Sequence, residues 1–562
     1  MKNKAKHLLF LWLFSPFIFA QNVQFSQSKK QVETHDFVEI LLRLNKAVSV
    51  NPFTDVTIQG EFKTPDNQTI TIKGFCDSPD GRLSKVRFMP TQAGTHSYLI
   101  SYEKEGKKQI FRGTFLATKS NRKGMVRVDK QHPWHFVWDG TGEHYFYFGT
   151  TTYWLLGWKD ETIIDQAIDR LADYKVNRIR VAINGRSEGG QRWSEPLVQE
   201  SKNFTYLLNP WVATKPNDLD NPGFDVTRFN VSHWQKLDRL LARARERNVV
   251  VSVIFYVDGL DHGCDPFKKT NMGNEDEKRY YTYAAARYAA YSNVMWDITN
   301  EYHLFRSEEW ADKMGAFMKN QDPYHHLMSI HGHGDFPFRK ANWVDFVMFQ
   351  QWDQCSDYAQ MLKYRQMQEA SGELKPQVNE EYGYEGHYPL WGCGSTKVAP
   401  NRAAENRADL AWQMYMAGCY QTTGERADEG TGAGNDAGGG WINGRGNDKM
   451  VMFKLYDVIY DTFTGLQWWK MNPKPELVNN GNLCLAEVGK QYLIYSQQSE
   501  VKLKLDAGVY QATIISPRTG EQFSLKDVTG GQEWIYPQKE GLKADQKLAQ
   551  LEGKWVIKLI KK

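Results

Sequence analysis

The chain has 562 residues, 24% of them charged and 41% hydrophobic, with a net charge of +4. That length exceeds what one hydrophobic core supports, so two to four domains are expected, and the composition excludes a disordered chain. The small net charge, with no basic cluster, speaks against a dedicated nucleic-acid binder. Aromatic residues are abundant (Trp 19, Tyr 28, Phe 29), and their flat faces serve both core packing and stacking on sugar rings.

In chain order, residues 1–20 read as an export signal. Lys2, Lys4 and Lys6 form a basic head, Leu8 to Ala20 is an apolar run, and Ala20-Gln21 offers a cleavage point. The run is too short to span a bilayer, and the first cysteine is Cys76, so no lipid or membrane anchor is expected. The mature protein should be secreted or periplasmic. Residues 22–118 carry short β-rich runs, such as Phe37 to Leu44 and Thr95 to Tyr102, separated by turns like Pro79-Asp80-Gly81, the pattern of a β-sandwich. Between 124 and 475 strand and helix alternate about eight times, which predicts a (β/α)8 barrel with right-handed crossovers. Its strands include Asn177 to Ile183, Val249 to Phe255, a segment around Trp296, Phe346 to Phe349 and a segment around Val378. From 480 to 562 the pattern returns to strands, predicting a C-terminal β-sandwich. The fold class is therefore multidomain, a central barrel flanked by two β-sandwiches.

Chemistry concentrates at two strand ends. Trp296-Asp297-Ile298-Thr299-Asn300-Glu301 delivers a carboxylic acid, with an amide beside it, to the lip of the fourth strand, and Val378-Asn379-Glu380-Glu381-Tyr382-Gly383 does the same at the seventh. Catalytic groups of a parallel barrel collect at that lip. Paired carboxyls are the equipment of glycosidic hydrolysis, standing about 5–5.5 Å apart in retaining enzymes. Alternation along a strand places Glu380 and Glu381 on opposite faces. Tyr382-Gly383 favours Glu381 as nucleophile, with the Tyr382 phenol holding its carboxylate, and leaves Glu380 as a structural partner for an arginine. Asn300 is placed to donate to a sugar hydroxyl.

These motifs resemble those of clan A glycoside hydrolases, in which the fourth strand carries the acid/base and the seventh the nucleophile. The resemblance implies Glu301 and Glu381 in those roles. Asn177-Arg178-Ile179-Arg180-Val181 resembles the clan's second-strand segment, which implies Arg180 as the arginine steadying the nucleophile. The whole layout, including His132-Pro133-Trp134-His135-Phe136-Val137 and Gly149-Thr150-Thr151-Thr152-Tyr153-Trp154, is similar to an apiosidase-like group of Bacteroidetes glycosidases. These pair an N-terminal sandwich of unknown function with the barrel and a C-terminal sandwich named for collagen binding. The group tends to carry Gly-Asp where this chain has Asn300-Glu301, a departure that argues against apiose as the substrate.

Further candidates for the substrate pocket are Tyr153 and Trp154 after the first strand, His331 and His333 after the fifth, and Gln351 and Trp352 after the sixth. Trp441, in a glycine-rich stretch, reads as a sugar-stacking platform. No cofactor is expected, and His331-Gly332-His333 lacks the further ligands a metal would need. Cys264 and Cys393, both in glycine-rich sequence, could join as a disulfide in an oxidising compartment. The expected partner is an oligo- or polysaccharide cleaved by a retaining mechanism. A non-catalytic carbohydrate-binding or matrix-adhesion protein on the same barrel is the competing reading.

Overall fold

The structure is a computed structural model that describes residues 23–186, 198, 200–257, 265–267, 271–387, 401–427, 439–447, 450–498, 500–536 and 554–562. Its centre is a nine-stranded parallel sheet. Phe148–Thr151, Arg178–Ala182, Val250–Ile254 and Val294–Asp297 follow one another across it, and Val347–Gln350, Gln377–Glu381 and Tyr420–Thr423 return to the first strand on its other side. The fifth barrel strand is broken into Met328–Ser329, paired with the fourth, and Gly332–His333, paired with the sixth. Only Ile330 and His331 separate these pieces, so the two edges of the sheet meet there and the sheet rolls up on itself.

The strands are buried throughout, as expected of parallel strands covered on both faces. Glu161–Asp173 shows how the crossovers form. Asp160 caps its first turn by accepting from Thr162 N, and Ile163, Ile164, Ala167, Ile168 and Leu171 make one apolar stripe against the sheet. Helices of this kind follow every barrel strand except the fifth, where the described chain passes from His333 to Val347 through turns.

Two sheets precede the barrel, the first antiparallel and the second antiparallel except where Gln31–Glu33 pairs in parallel with Lys107–Thr118. Val23–Gln27, Val38–Leu44, Leu83–Phe88 and Phe75–Cys76 form one, and five strands including Val56–Lys63, Gly94–Lys104 and Lys107–Thr118 form the other. They face each other across Phe62 and Phe88, whose rings stack at 4.2 Å. This unit docks on the barrel helices Val231–Glu246 and Glu275–Tyr288. Arg87 reaches Asp238 at 2.6 Å and Glu39 at 2.8 Å, and Arg287 reaches Asp77 at 2.7 Å and Asp238 at 2.5 Å. After the barrel, a seven-stranded sheet begins at Asn472–Pro473 and ends at Trp555–Lys561. It is held by the Trp412–Tyr495 ring stack and by Tyr495 Oη donating to Asp409 at 2.7 Å. Cys264 and Cys393 lie outside the described residues. Of the described cysteines, Cys355 is disulfide-bonded, and Cys76, Cys419 and Cys484 are buried free thiols. Among the described residues no helix is long and apolar enough to cross a membrane.

Candidate active site

The polar interior of the barrel is organised by two arginines of the second strand, both fully buried. Arg178 pairs with Glu380 and donates to Thr422 Oγ1 at 3.1 Å. Arg180 is a hub. Its Nε lies 2.9 Å from Glu380, one terminal nitrogen donates to Tyr153 Oη at 3.0 Å, and the other lies 2.8 Å from Asn300 Oδ1, 3.3 Å from Asp297 and 3.2 Å from His331 Nδ1. The structural role expected of Glu380 is thus filled by a pair of arginines.

The expected alternation of Glu380 and Glu381 does not occur. The sixth and seventh strands slip register between Phe349 and Gln350, so that Gln350 stands opposite Glu381 rather than Glu380. The extra residue turns Glu381 back to the side Glu380 already occupies, as a β-bulge does. Glu381 accepts from Tyr153 Oη at 3.0 Å, and Tyr384 Oη donates to Tyr153 Oη at 3.1 Å. Arg180 therefore reaches Glu381 through the Tyr153 phenol.

Glu301 leaves the fourth strand with φ 42° and ψ 50°, in the left-handed region, where a residue with a Cβ is strained by about 1 kcal/mol or more. Such strain collects at functional positions. Its carboxylate accepts from Asn300 Nδ2 at 3.2 Å and from the Gln350 amide. Asn300 Oδ1 is held by Arg180 and His331, with Tyr153 Oη 3.2 Å away, which fixes the amide and with it Glu301. His331 is fully buried, and burial first, then Arg180, push it well below its ordinary range, so its ring is neutral.

Burial raises both carboxyls. For Glu381 the charge of Glu301 is the next cause, and the group is pushed up to about 8 against the pull of Arg180 and the two phenols. Glu301 is raised by burial against hydrogen bonds from Gln350 and Asn300 and the charge of Arg180. Two neighbouring acids held this high titrate as one unit, holding a proton between them near neutrality. Asp297, deeper in the barrel, is also raised by burial, to about 7, despite Arg180.

The structure brings Glu301, Glu381, Asn300, Arg180, Tyr153 and His331 together. Three expected positions differ. Tyr382 does not hold the nucleophile: its hydroxyl pairs with Tyr456 and lies 3.3 Å from the Arg407 carbonyl, because the residue after the bulge points to the helices outside the barrel. Trp154 is fully buried in packing, its ring 5.2 Å from that of Tyr206 and beside Gly185. Trp441 is near the site but only 3% exposed, one face covered by Tyr384 at 4.2 Å and 6°. Two residues were missed. Tyr384 reaches Tyr153 because Gly383, at φ +96°, turns the chain back into the barrel, a conformation that favours glycine. Gln350 was overlooked in favour of Gln351, since the sixth strand runs one residue further than its sequence suggests.

This geometry can be set beside known proteins. The apiosidase-like catalytic domain matches residues 135–426, just over half of the chain. The chain belongs to the apiosidase-like family. A domain of unknown function, DUF5060, matches residues 31–103. A candidate glycoside hydrolase from Bacteroides vulgatus ATCC 8482 is similar over 95% of this chain and 100% of its own, with a TM-score of 0.74 at 19% identity. A glycoside hydrolase family 5 protein from the same organism is similar over 78% of this chain and 93% of its own, with a TM-score of 0.58 at 15% identity. At these identities the likeness is one of fold. No curated protein matches the sequence. The family member described here thus has the fold and family of glycoside hydrolases.

Proposed function

We propose that this protein is an exported, retaining O-glycoside hydrolase acting on a plant or algal polysaccharide, its barrel braced by a β-sandwich on either side. One observation carries the reading: buried Glu381 and half-buried Glu301 stand at one barrel mouth, both held above the ordinary carboxyl range, Glu381 in part by the charge of Glu301, so that the pair keeps a proton near neutrality. That is the starting state of a double displacement.

The surroundings assign the roles. Glu381 sits on a strand, 6% exposed and held by the Tyr153 phenol, so it is the fixed carboxylate that attacks. Glu301 sits on the turn leading out of the barrel, toward solvent, where a departing alcohol must go. In the first step a Glu381 oxygen forms a bond to the anomeric carbon while the glycosidic C–O bond breaks and Glu301 gives its proton to the leaving oxygen. Loss of that proton restores a charge beside the now-esterified Glu381, which no longer repels it. Glu301 then takes a proton from water, the water oxygen bonds to the anomeric carbon, and Glu381 departs as a carboxylate. Asn300 keeps Glu301 aligned throughout, and Arg180 keeps Asn300 and Tyr153 in register.

The test is digestion of a panel of plant and algal polysaccharides by wild type, Glu301→Gln and Glu381→Gln, with products followed by chromatography and NMR. Both variants should lose at least about a thousandfold in rate, and the first-formed product should keep the anomeric configuration of the substrate. Inverted product would exclude double displacement. Undiminished activity in the variants would exclude these acids, and glycan retention without cleavage would favour a binding protein.

A further inference from the structure

The two sides of the carboxyl pair are built differently. Beside Glu381 the wall is closed: Tyr153, Tyr384, Trp352 and Trp441 are each no more than 4% exposed. Beyond Glu301 it opens. His303, Leu304 and His333 are exposed, and they lie directly past the acid, on the short turn Tyr302–Leu304 and on the second piece of the broken fifth strand.

The two segments are locked to each other. Tyr302 N donates to the His331 carbonyl at 3.1 Å, and the Tyr302 ring lies so close to Gly332 that an added Cβ would stand 2.6 Å from it. His333 N donates to His303 Nδ1 at 3.3 Å, and the two imidazoles are 5.9 Å apart. Because His303 Nδ1 accepts, the ring proton belongs on Nε2, which is then the donor of this imidazole. Burial and the neighbouring His333 hold His303 below its ordinary range, so the ring is neutral at neutral pH. With the His303 ring held by that bond, the exposed pair of imidazoles offers N–H donors, a nitrogen acceptor and flat faces, the recognition chemistry of a neutral, hydroxyl-bearing sugar.

We propose that His303 and His333 form the leaving-group site, binding the sugar on the departing side of the scissile bond. The proposal rests on Glu301 being the acid, since that role fixes which side the leaving group occupies. A hydroxyl-bearing sugar leaving Glu301 toward solvent passes the two rings, and the same site would receive an acceptor sugar in place of water.

The full-length protein is first screened on 4-nitrophenyl glycosides to find the accepted sugar, and then supplied with an oligosaccharide carrying that sugar. The readout is the ratio of kcat/KM for the oligosaccharide to that for the aryl glycoside, whose leaving group is not a sugar. In the His303→Ala/His333→Ala variant this ratio should fall at least tenfold, mainly through KM. The His303→Gln/His333→Gln variant, which keeps donors and acceptors, should recover part of it. A ratio unchanged in the alanine variant, with thermal melting confirming that it folds, overturns the proposal, as does an equal loss on both substrates. Glu301→Gln separates the two levels of the argument. If it cleaves the oligosaccharide as fast as wild type, the acid assignment fails, whereas an inactive Glu301→Gln with an unchanged ratio in the histidine variant removes the leaving-group site alone.

Discussion

The seam between the N-terminal unit and the barrel, and the mouth of the barrel, both bury charge, but in opposite ways. At the seam Lys85, Arg87 and Arg287 answer Glu39, Asp77 and Asp238, charge for charge, at separations of 2.5 to 3.5 Å. At the mouth, among the described residues, two arginines, Arg178 and Arg180, face Asp297, Glu301, Glu380 and Glu381, and both are engaged with Glu380. Balanced burial fixes a structure. An excess of acids raises their proton affinity, leaves one of them protonated at neutral pH, and creates the capacity for proton transfer. The second arrangement is tolerated because the strands beneath it are already locked by the hub around Arg180.

The largest effect that would separate the two regions is on stability. Asp238→Asn leaves Arg87 and Arg287 without their shared partner and should cost about 3–5 kcal/mol in chemical denaturation. Glu381→Gln relieves a repulsion and should leave stability unchanged or raised while removing activity. A destabilised Glu381→Gln of the same size would break the contrast.

The second effect is on pH dependence, and its sign differs between regions. The Glu301–Glu381 pair is raised in the folded state, so the folded protein holds a shared proton the unfolded chain has released. Its contribution is fully present below the unfolded carboxyl range and is lost as pH rises from about 4.5 toward 8, by up to about 1.4 kcal/mol per pH unit. Glu381→Gln should flatten that part of the stability curve. Asp77 at the seam behaves oppositely: burial would raise it, but Arg287 and Lys85 prevail and hold it low. Its contribution is present above the unfolded carboxyl range and disappears in acid, as pH falls through its folded value. Asp77→Asn should therefore weaken the acid-side loss and leave the 4.5-to-8 slope in place, as followed by urea titration at stepped pH.

The smallest effect discriminates two tyrosines. Tyr153→Phe removes a donor to Glu381 and should slow hydrolysis by roughly ten- to a hundredfold, by analogy with loss of a donor to a reacting group. Tyr382→Phe should instead cost about 1 kcal/mol of stability, the worth of one buried hydrogen bond, with a lesser effect on rate. Reversed outcomes in steady-state kinetics and thermal melting would return Tyr382 to the role its sequence position suggests.

Much of the barrel could be read from the chain because its signals are local. The runs Asn177 to Ile183 and Val249 to Phe255 overshoot Arg178–Ala182 and Val250–Ile254 only at their ends. The placement of Glu301 at a strand end was likewise visible in Trp296 to Glu301. What could not be read is non-local. The slip opposite Gln350 depends on the neighbouring strand, so period-two reasoning sent Glu380 and Glu381 to opposite faces. The same slip moved Tyr382 outward and handed its expected duty to Tyr153, which is 228 positions from Glu381 in sequence. Trp154 was read as lining the substrate pocket and Trp441 as a sugar platform because both lie near a lip, and only the packing of Tyr206 and Tyr384 against them reveals how little of either is accessible.

The slipped register between the sixth and seventh strands also governs how this protein can be compared with its relatives. Adjacent glutamates that share one face look interchangeable on paper, yet one is the counter-ion of two arginines and the other the reactive group. An alignment that slides by a single position at Asn379 would exchange them without any loss of apparent similarity. Assigning the reactive acid in a distant relative therefore requires locating the tyrosine that donates to it, because neighbouring sequence alone names two candidates and the partner across the barrel names one.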